Sequence, residues 1–163
     1  MIDFGALYAE HAGAVFRFAY SLSGNRTMAE DLTSETFVRV WTARDRVDLT
    51  TVIGYLLTIT RHLYLEGLRR DRRQGALDHE PEDAAPGPHA LAEGRAELDA
   101  VLADLQALPE SDRAALLMRA EDQMPYEDIS AALGVSVGAA KVKVHRARRK
   151  LAEQRLQRQR GPS

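Results

Sequence analysis

Tyr126-Glu-Asp-Ile-Ser-Ala-Ala-Leu-Gly-Val-Ser-Val-Gly-Ala-Ala-Lys-Val-Lys-Val-His-Arg-Ala-Arg-Arg-Lys-Leu151 reads as a short helix, a glycine turn and a second, basic helix. The first helix is expected to end at Leu133, because Gly134 can take the left-handed conformation a sharp turn requires. Ser136 follows as an N-cap whose hydroxyl can accept an orphan backbone N–H. Val137, Ala140, Val144, Ala147 and Leu151 then recur at helical spacing and form one apolar stripe. Gly138, Lys141, Val142, His145 and Arg149 fall on the other side, free to enter a major groove. Small residues at Gly138, Ala139 and Ala140 would let the backbone approach DNA closely. A solvated basic helix that merely closes a bundle is the plainer reading, and the cap and glycine around the turn argue against it.

The remainder of the chain suits a folded helical protein. It has 163 residues, 45% of them hydrophobic and 28% charged, enough for one ordinary domain or two small ones. Cysteine is absent, which excludes disulfides and thiolate metal sites. The five histidines, His11, His62, His79, His89 and His145, are scattered. No His-Glu-x-x-His run, phosphate-cradling glycine loop or nucleophile elbow accompanies them, so neither catalysis nor a cofactor or metal is expected. The first residues lack a basic region followed by an apolar run, and no uninterrupted apolar segment could span a bilayer. A cytoplasmic location without membrane insertion is the expectation.

Formal net charge is only −2, but the charges are segregated. Lys141, Lys143, Arg146, Arg148, Arg149, Lys150, Arg155, Arg158 and Arg160 face the single acid Glu153 in the last stretch. Arg61, Arg69, Arg70, Arg72 and Arg73 form a second basic cluster. Screening limits charge reach to roughly 8 Å at physiological salt, so local field decides phosphate binding. Two positive patches suit two contacts on one nucleic acid.

Period-two alternation is absent, and an all-α fold is expected. A first helix is predicted from Phe4 to Leu22, broken at Gly24-Asn25. Thr27-Met-Ala-Glu30 matches a capping box and opens a second helix to about Ala43, carrying Leu32, Thr36, Phe37, Val40 and Trp41 inward. A third runs from about Val52 to Arg73, with Tyr55, Leu56, Ile59, Leu63 and Leu68 as its apolar side. Residues 75–92 read as a flexible acidic linker, rich in Gly and Pro. Helical pattern returns from Leu91 to Leu108. Pro109 then opens a further helix at N1, with Glu110 and Asp112 at its positive end. Two small helical domains, 1–74 and 93–163, follow from this division.

The chain from about Leu7 to Leu151 resembles the extracytoplasmic-function sigma factors of the bacterial sigma-70 family. Three anchors carry the resemblance. Ala29-Glu-Asp-Leu-Thr-Ser-Glu-Thr-Phe-Val-Arg-Val-Trp41 is similar to the segment that docks on the RNA polymerase clamp. Tyr55-Leu-Leu-Thr-Ile-Thr-Arg-His-Leu-Tyr-Leu-Glu-Gly-Leu-Arg-Arg70 is similar to the helix that meets the −10 promoter element. Leu108-Pro-Glu-Ser-Asp-Arg-Ala-Ala-Leu-Leu117, with Tyr126 to Leu151, is similar to the domain that reads the −35 element. The chain departs from the family's usual pattern at Ser34 (Gln), Tyr55 (Trp), His62 (Asn), Ala139 (Thr) and Val142 (Ser). The last change removes a hydroxyl but offers contact with a thymine methyl.

The resemblance implies a sigma-2-like first domain and a sigma-4-like second domain with a basic tail. It implies partners as well: core RNA polymerase, through the β′ clamp and the β flap, promoter DNA, and an anti-sigma factor. Glu30, Asp31, Ser34, Glu35 and Val38 share one side of the second helix and would face polymerase. Arg44, Arg46 and Thr50 fall in the loop where the family captures an unpaired base. Tyr55, Arg61, His62, Arg69, Arg70 and Arg73 complete the −10 set. Lys141, Val142, His145 and Arg149 are the base-edge candidates at −35, with Lys143, Arg146, Arg148 and Lys150 placed for phosphate. A stand-alone helix-turn-helix regulator is the rival reading. It gives no reason for a second basic cluster beside an acidic helix.

Overall fold

Asp3 begins the first element by accepting a hydrogen bond from the Ala6 amide at 3.1 Å, which satisfies one of the orphan donors at a helix start. The computed structural model describes residues 3–43, 52–75, 92–121 and 123–161, and only the backbone of residues 92 and 93. Arg44, Arg46, Thr50 and the acidic linker with Glu80, Glu82 and Asp83 lie outside the described residues.

Helix α1 (Phe4–Ser23) buries Leu7, Val15, Phe18, Ala19 and Leu22 and ends at Gly24, whose φ is 70°. A left-handed residue costs an L side chain about 1–2 kcal/mol, and glycine escapes that cost. The reversal leaves Asn25 extended, so Asn25 rather than Thr27 caps α2 (Arg26–Thr42), its side chain accepting from the Met28 amide at 2.9 Å. The expected capping box is thereby corrected. Thr27 lies exposed in the first turn, and Glu30 approaches Arg26 at 3.5 Å instead. Helix α2 buries Leu32, Thr36, Phe37 and Val40 as expected. Trp41 does not join them: it is 48% exposed, its ring set edge-on to Phe4 at 5.0 Å.

Helix α3 (Val52–Arg73) buries Gly54, Leu56, Leu57, Thr60, Leu63 and Tyr64, a wider face than the expected stripe. Where it crosses α2, the hydroxyls of Thr36 and Thr60 meet at 2.9 Å. Each hydroxyl also reaches a carbonyl one turn back on its own helix, Leu32 at 2.7 Å and Leu56 at 2.8 Å. Both polar groups are fully buried, and these contacts satisfy them.

The second half holds α4 (Ala92–Gln106), α5 (Glu110–Ala120), α6 (Tyr126–Leu133) and α7 (Val137–Arg160). Pro109 occupies the cap position of α5, one residue before the expected N1. Buried Arg113 donates to the Leu108 carbonyl at 2.9 Å, with the Leu105 and Gln106 carbonyls at 3.5 Å. A cation thus stands among the carbonyls at and just beyond the C-terminal end of α4.

The seven helices form one body among the described residues: α1, α2 and α3 pack together, α5 packs on α6 and α7, and α1 and α3 rest on α5. A single apolar cluster includes Phe18, Leu22, Leu56 and Leu57 from the first half and Met118, Met124 and Ile129 from the second. Burying such side chains contributes about 1.5–3 kcal/mol each. No helix among the described residues is long and apolar enough to cross a membrane.

Candidate nucleic-acid interface

Gly134, at φ 69°, closes α6 and donates its N–H to the Ser130 carbonyl at 2.9 Å. Two residues later Ser136 caps α7, its Oγ accepting from the Ala139 amide at 3.0 Å. These local bonds fix the turn. Ile129 and Ala132 of α6 and Ala140, Val144 and Ala147 of α7 are buried beneath it. Gly138, Lys141, Val142, His145 and Arg149 are all exposed, Val142 by 55%. The structure therefore presents three donor-bearing side chains and one apolar side chain along one open helix face, the complement a major groove can accept. Lys141 Nζ also lies 5.7 Å from the ring centroid of Tyr126, with the Arg119 guanidinium 4.4 Å from the same ring.

The four phosphate candidates divide into two pairs. Arg148 and Lys150 are exposed. Arg146 is committed within the protein, its Nε and Nη2 donating to Asp112 at 2.7 and 2.9 Å. Lys143 Nζ donates to Ser111 Oγ at 3.0 Å and lies 3.7 Å from Asp112. Asp112 itself is 1% exposed. The hydrogen bonds from Arg146 hold its carboxyl below the usual range, against the opposing effect of burial, with the charges of Arg146 and Lys143 adding to the same side. The Asp112 carboxylate reciprocally raises the Arg146 pKa. Sequence spacing placed Asp112 only at a helix start. Its partner is 34 residues away, and no local pattern reports such a pair.

On α3, His62, Arg69, Arg70 and Arg73 are exposed and Tyr55 is half-buried. Arg69, Arg70, Arg72 and Arg73 line a shallow cleft with Glu66, giving the last turn a dense positive surface. The same cations also suit the negative end of the helix. Arg61 stands apart from this group. Its side chain is 12% exposed and its guanidinium grips Glu110 of α5, Nε to Oε2 at 2.9 Å and Nη2 to Oε1 at 2.6 Å. This pair, 49 residues apart, was also invisible to local reading.

On α2, Glu30, Asp31, Ser34, Glu35 and Val38 are all exposed, Val38 by 53%. Glu35 approaches Arg39 at 3.9 Å, and Arg39 reaches Glu66 of α3 at 3.6 Å. Half-exposed Trp41 lies on the same helix, so the side available to a protein partner mixes acids with apolar surface.

Two family models match the chain: Sigma-70 region 2 over residues 7–74 and Sigma-70, region 4 over residues 98–151. The ECF RNA polymerase sigma factor SigE of Mycolicibacterium smegmatis is 36% identical over 94% of this chain and 62% of its own length. The chain thus spans less than two thirds of that relative. RNA polymerase sigma factor CarQ of Myxococcus xanthus is 33% identical, over 92% of this chain and 87% of its own. Among solved structures, the sigma factor RpoE of Bartonella quintana, crystallised in complex with the anti-sigma factor NepR, superposes with a TM-score of 0.76. It is 27% identical, over 93% of this chain and 96% of that one.

Proposed function

Since the chain belongs to the sigma-70 family of RNA polymerase sigma factors, in its extracytoplasmic-function branch, we propose that it directs promoter-specific initiation. It joins core polymerase through the exposed α2 face of Glu30, Asp31, Ser34, Glu35 and Val38. It reads the −35 element through Lys141, Val142, His145 and Arg149, with Arg148 and Lys150 on phosphate. The α3 surface of His62, Arg69, Arg70 and Arg73, with Arg61 once released, meets the −10 element and helps hold the melted strand. The protein performs no chemistry of its own, since nucleotide addition belongs to the polymerase. An anti-sigma partner, of the kind bound in the B. quintana complex, would act by covering one or both polymerase-binding surfaces.

The observation that carries this reading is the pairing, on one chain, of an open helix-turn-helix face on α6 and α7 with an acidic-apolar helix, α2, and a basic one, α3. A stand-alone regulator needs only the first. Run-off transcription with purified core polymerase and no other initiation factor tests it. A discrete transcript from a cognate promoter is the expected result. Tight duplex binding without any transcript would instead establish the regulator.

A further inference from the structure

Arg61 belongs to the surface read above as meeting promoter DNA, yet its guanidinium is occupied by the other half of the chain. The contact is a two-point fork on the Glu110 carboxylate, with Arg61 12% and Glu110 21% exposed. A carboxylate and a phosphate offer a guanidinium the same paired oxygens, so one can replace the other at the same donors. With α5 packed against α3, those donors are unavailable to a nucleic-acid strand.

Other clips lie along the same seam. Arg17 of α1 donates to Glu121 at 3.1 and 3.4 Å. Gln106 at the end of α4 donates to the Ser21 carbonyl at 2.9 Å. Arg113 of α5 donates to the Tyr64 hydroxyl of α3 at 3.3 Å. A Cβ built on Gly24 would lie 2.9 Å from the Gln106 side chain, so that glycine lets the end of α4 settle close against the end of α1. The closed arrangement is therefore specified at several points, with the shared apolar cluster beneath them.

We infer that Glu110 is an internal stand-in for promoter phosphate: while it holds Arg61, that guanidinium is closed to DNA although His62, Arg69, Arg70 and Arg73 of the same helix are exposed, and separation of the two halves exchanges Glu110 for nucleic acid. The inference rests on the reading of α3 as the −10 surface. Two states follow, a closed one in which Arg61 is occupied and an open one in which it is free. The share of DNA affinity that Arg61 supplies is available only to the open fraction. By reciprocity, any partner that binds only the open state raises DNA affinity, and DNA raises the affinity for that partner.

The test uses the full chain. Glu110→Gln keeps the shape and removes the charge. Binding is followed by anisotropy of a fluorescein-labelled single strand of about 20 nucleotides and random sequence, because phosphate contacts do not depend on base identity. The natural absence of cysteine allows donor and acceptor dyes to be placed on Glu10→Cys and Glu153→Cys. The expected result is about tenfold tighter binding by Glu110→Gln, equivalent to about 1.4 kcal/mol, with lower energy transfer. The gain should disappear in the Arg61→Ala, Glu110→Gln double variant. If Arg61→Ala weakens binding but Glu110→Gln matches the natural chain, Glu110 is no gate and the proposal is overturned. If Arg61→Ala changes nothing in either background, the assignment of Arg61 to DNA fails first, a distinct signature that removes the proposal with it. Glu110→Asp keeps the negative charge at the helix start but shortens the reach to Arg61. It answers the same question should the Gln variant not fold.

Discussion

Asp112, buried in the first turn of α5, receives both arms of the Arg146 guanidinium from α7 at 2.7 and 2.9 Å. The pair ties the recognition helix to the helix behind it, so a residue that spacing assigns to DNA also sets where its neighbours stand.

Asp112→Asn should destabilise the protein by about 2 kcal/mol near neutral pH, the scale of hydrogen bonds to a charged group. The pH dependence has a definite sign. Because the folded-state pKa is depressed, the carboxylate contributes stability above its ordinary range and loses it as pH falls through the lowered value. The difference between natural and Asn forms should therefore shrink towards about pH 3, below the unfolded value. Urea unfolding at the two pH values checks this. A constant difference would show that the charge is not what matters.

Lys141→Ala should weaken binding to a matched −35 duplex by about 1–3 kcal/mol and relax base choice. Arg148→Ala should weaken matched and scrambled duplexes alike and flatten the salt dependence. Arg146→Ala should register chiefly in the melting temperature, given its bond to Asp112. Equal losses on both duplexes for Lys141→Ala would return that residue to the phosphate group.

Val38→Glu replaces a 53% exposed side chain and should leave the unfolding midpoint within about 0.5 kcal/mol of the natural value. Affinity for core polymerase should fall about tenfold or more if Val38 lies inside the contact. Titration of labelled protein with core enzyme reads this directly, and an unchanged curve would move the docking face elsewhere on α2.

Gly134→Ala should cost about 1 kcal/mol, and Gly134→Asn less, because Asn tolerates the left-handed region better. Nothing lies within 4 Å of an added Cβ there, so the penalty is purely conformational. Thermal unfolding of both variants gives the order, and a loss several times larger in Ala would point to a contact.

The helix-turn-helix was legible because its signals are local. Gly134 and Ser136 act on atoms a few residues away, and the buried Ala140, Val144 and Ala147 follow one period. The start of α2 reads locally as a Thr27 capping box, but the left-handed turn at Gly24 leaves Asn25 extended and makes it the cap. Trp41 sits one position beyond the buried Val40. A helical wheel gives its direction but not where the neighbouring helix begins, and beside Phe4, the first residue of α1, the ring is left half-exposed. The buried face of α3 is wider than its apolar stripe because helices pack on it from two sides, enclosing Leu57 and Tyr64 as well. Arg61–Glu110 and Asp112–Arg146 join distant segments, so spacing could show an acid at a helix start but not the guanidinium awaiting it.

The apolar cluster shared by both halves has a consequence for life outside the transcription complex. Parting the helices would bare Leu and Met side chains to water, so an unaccompanied molecule gains by keeping its sticky surfaces folded inward. Whatever prises it apart must provide equivalent shelter, which ties readiness for work to the presence of a host.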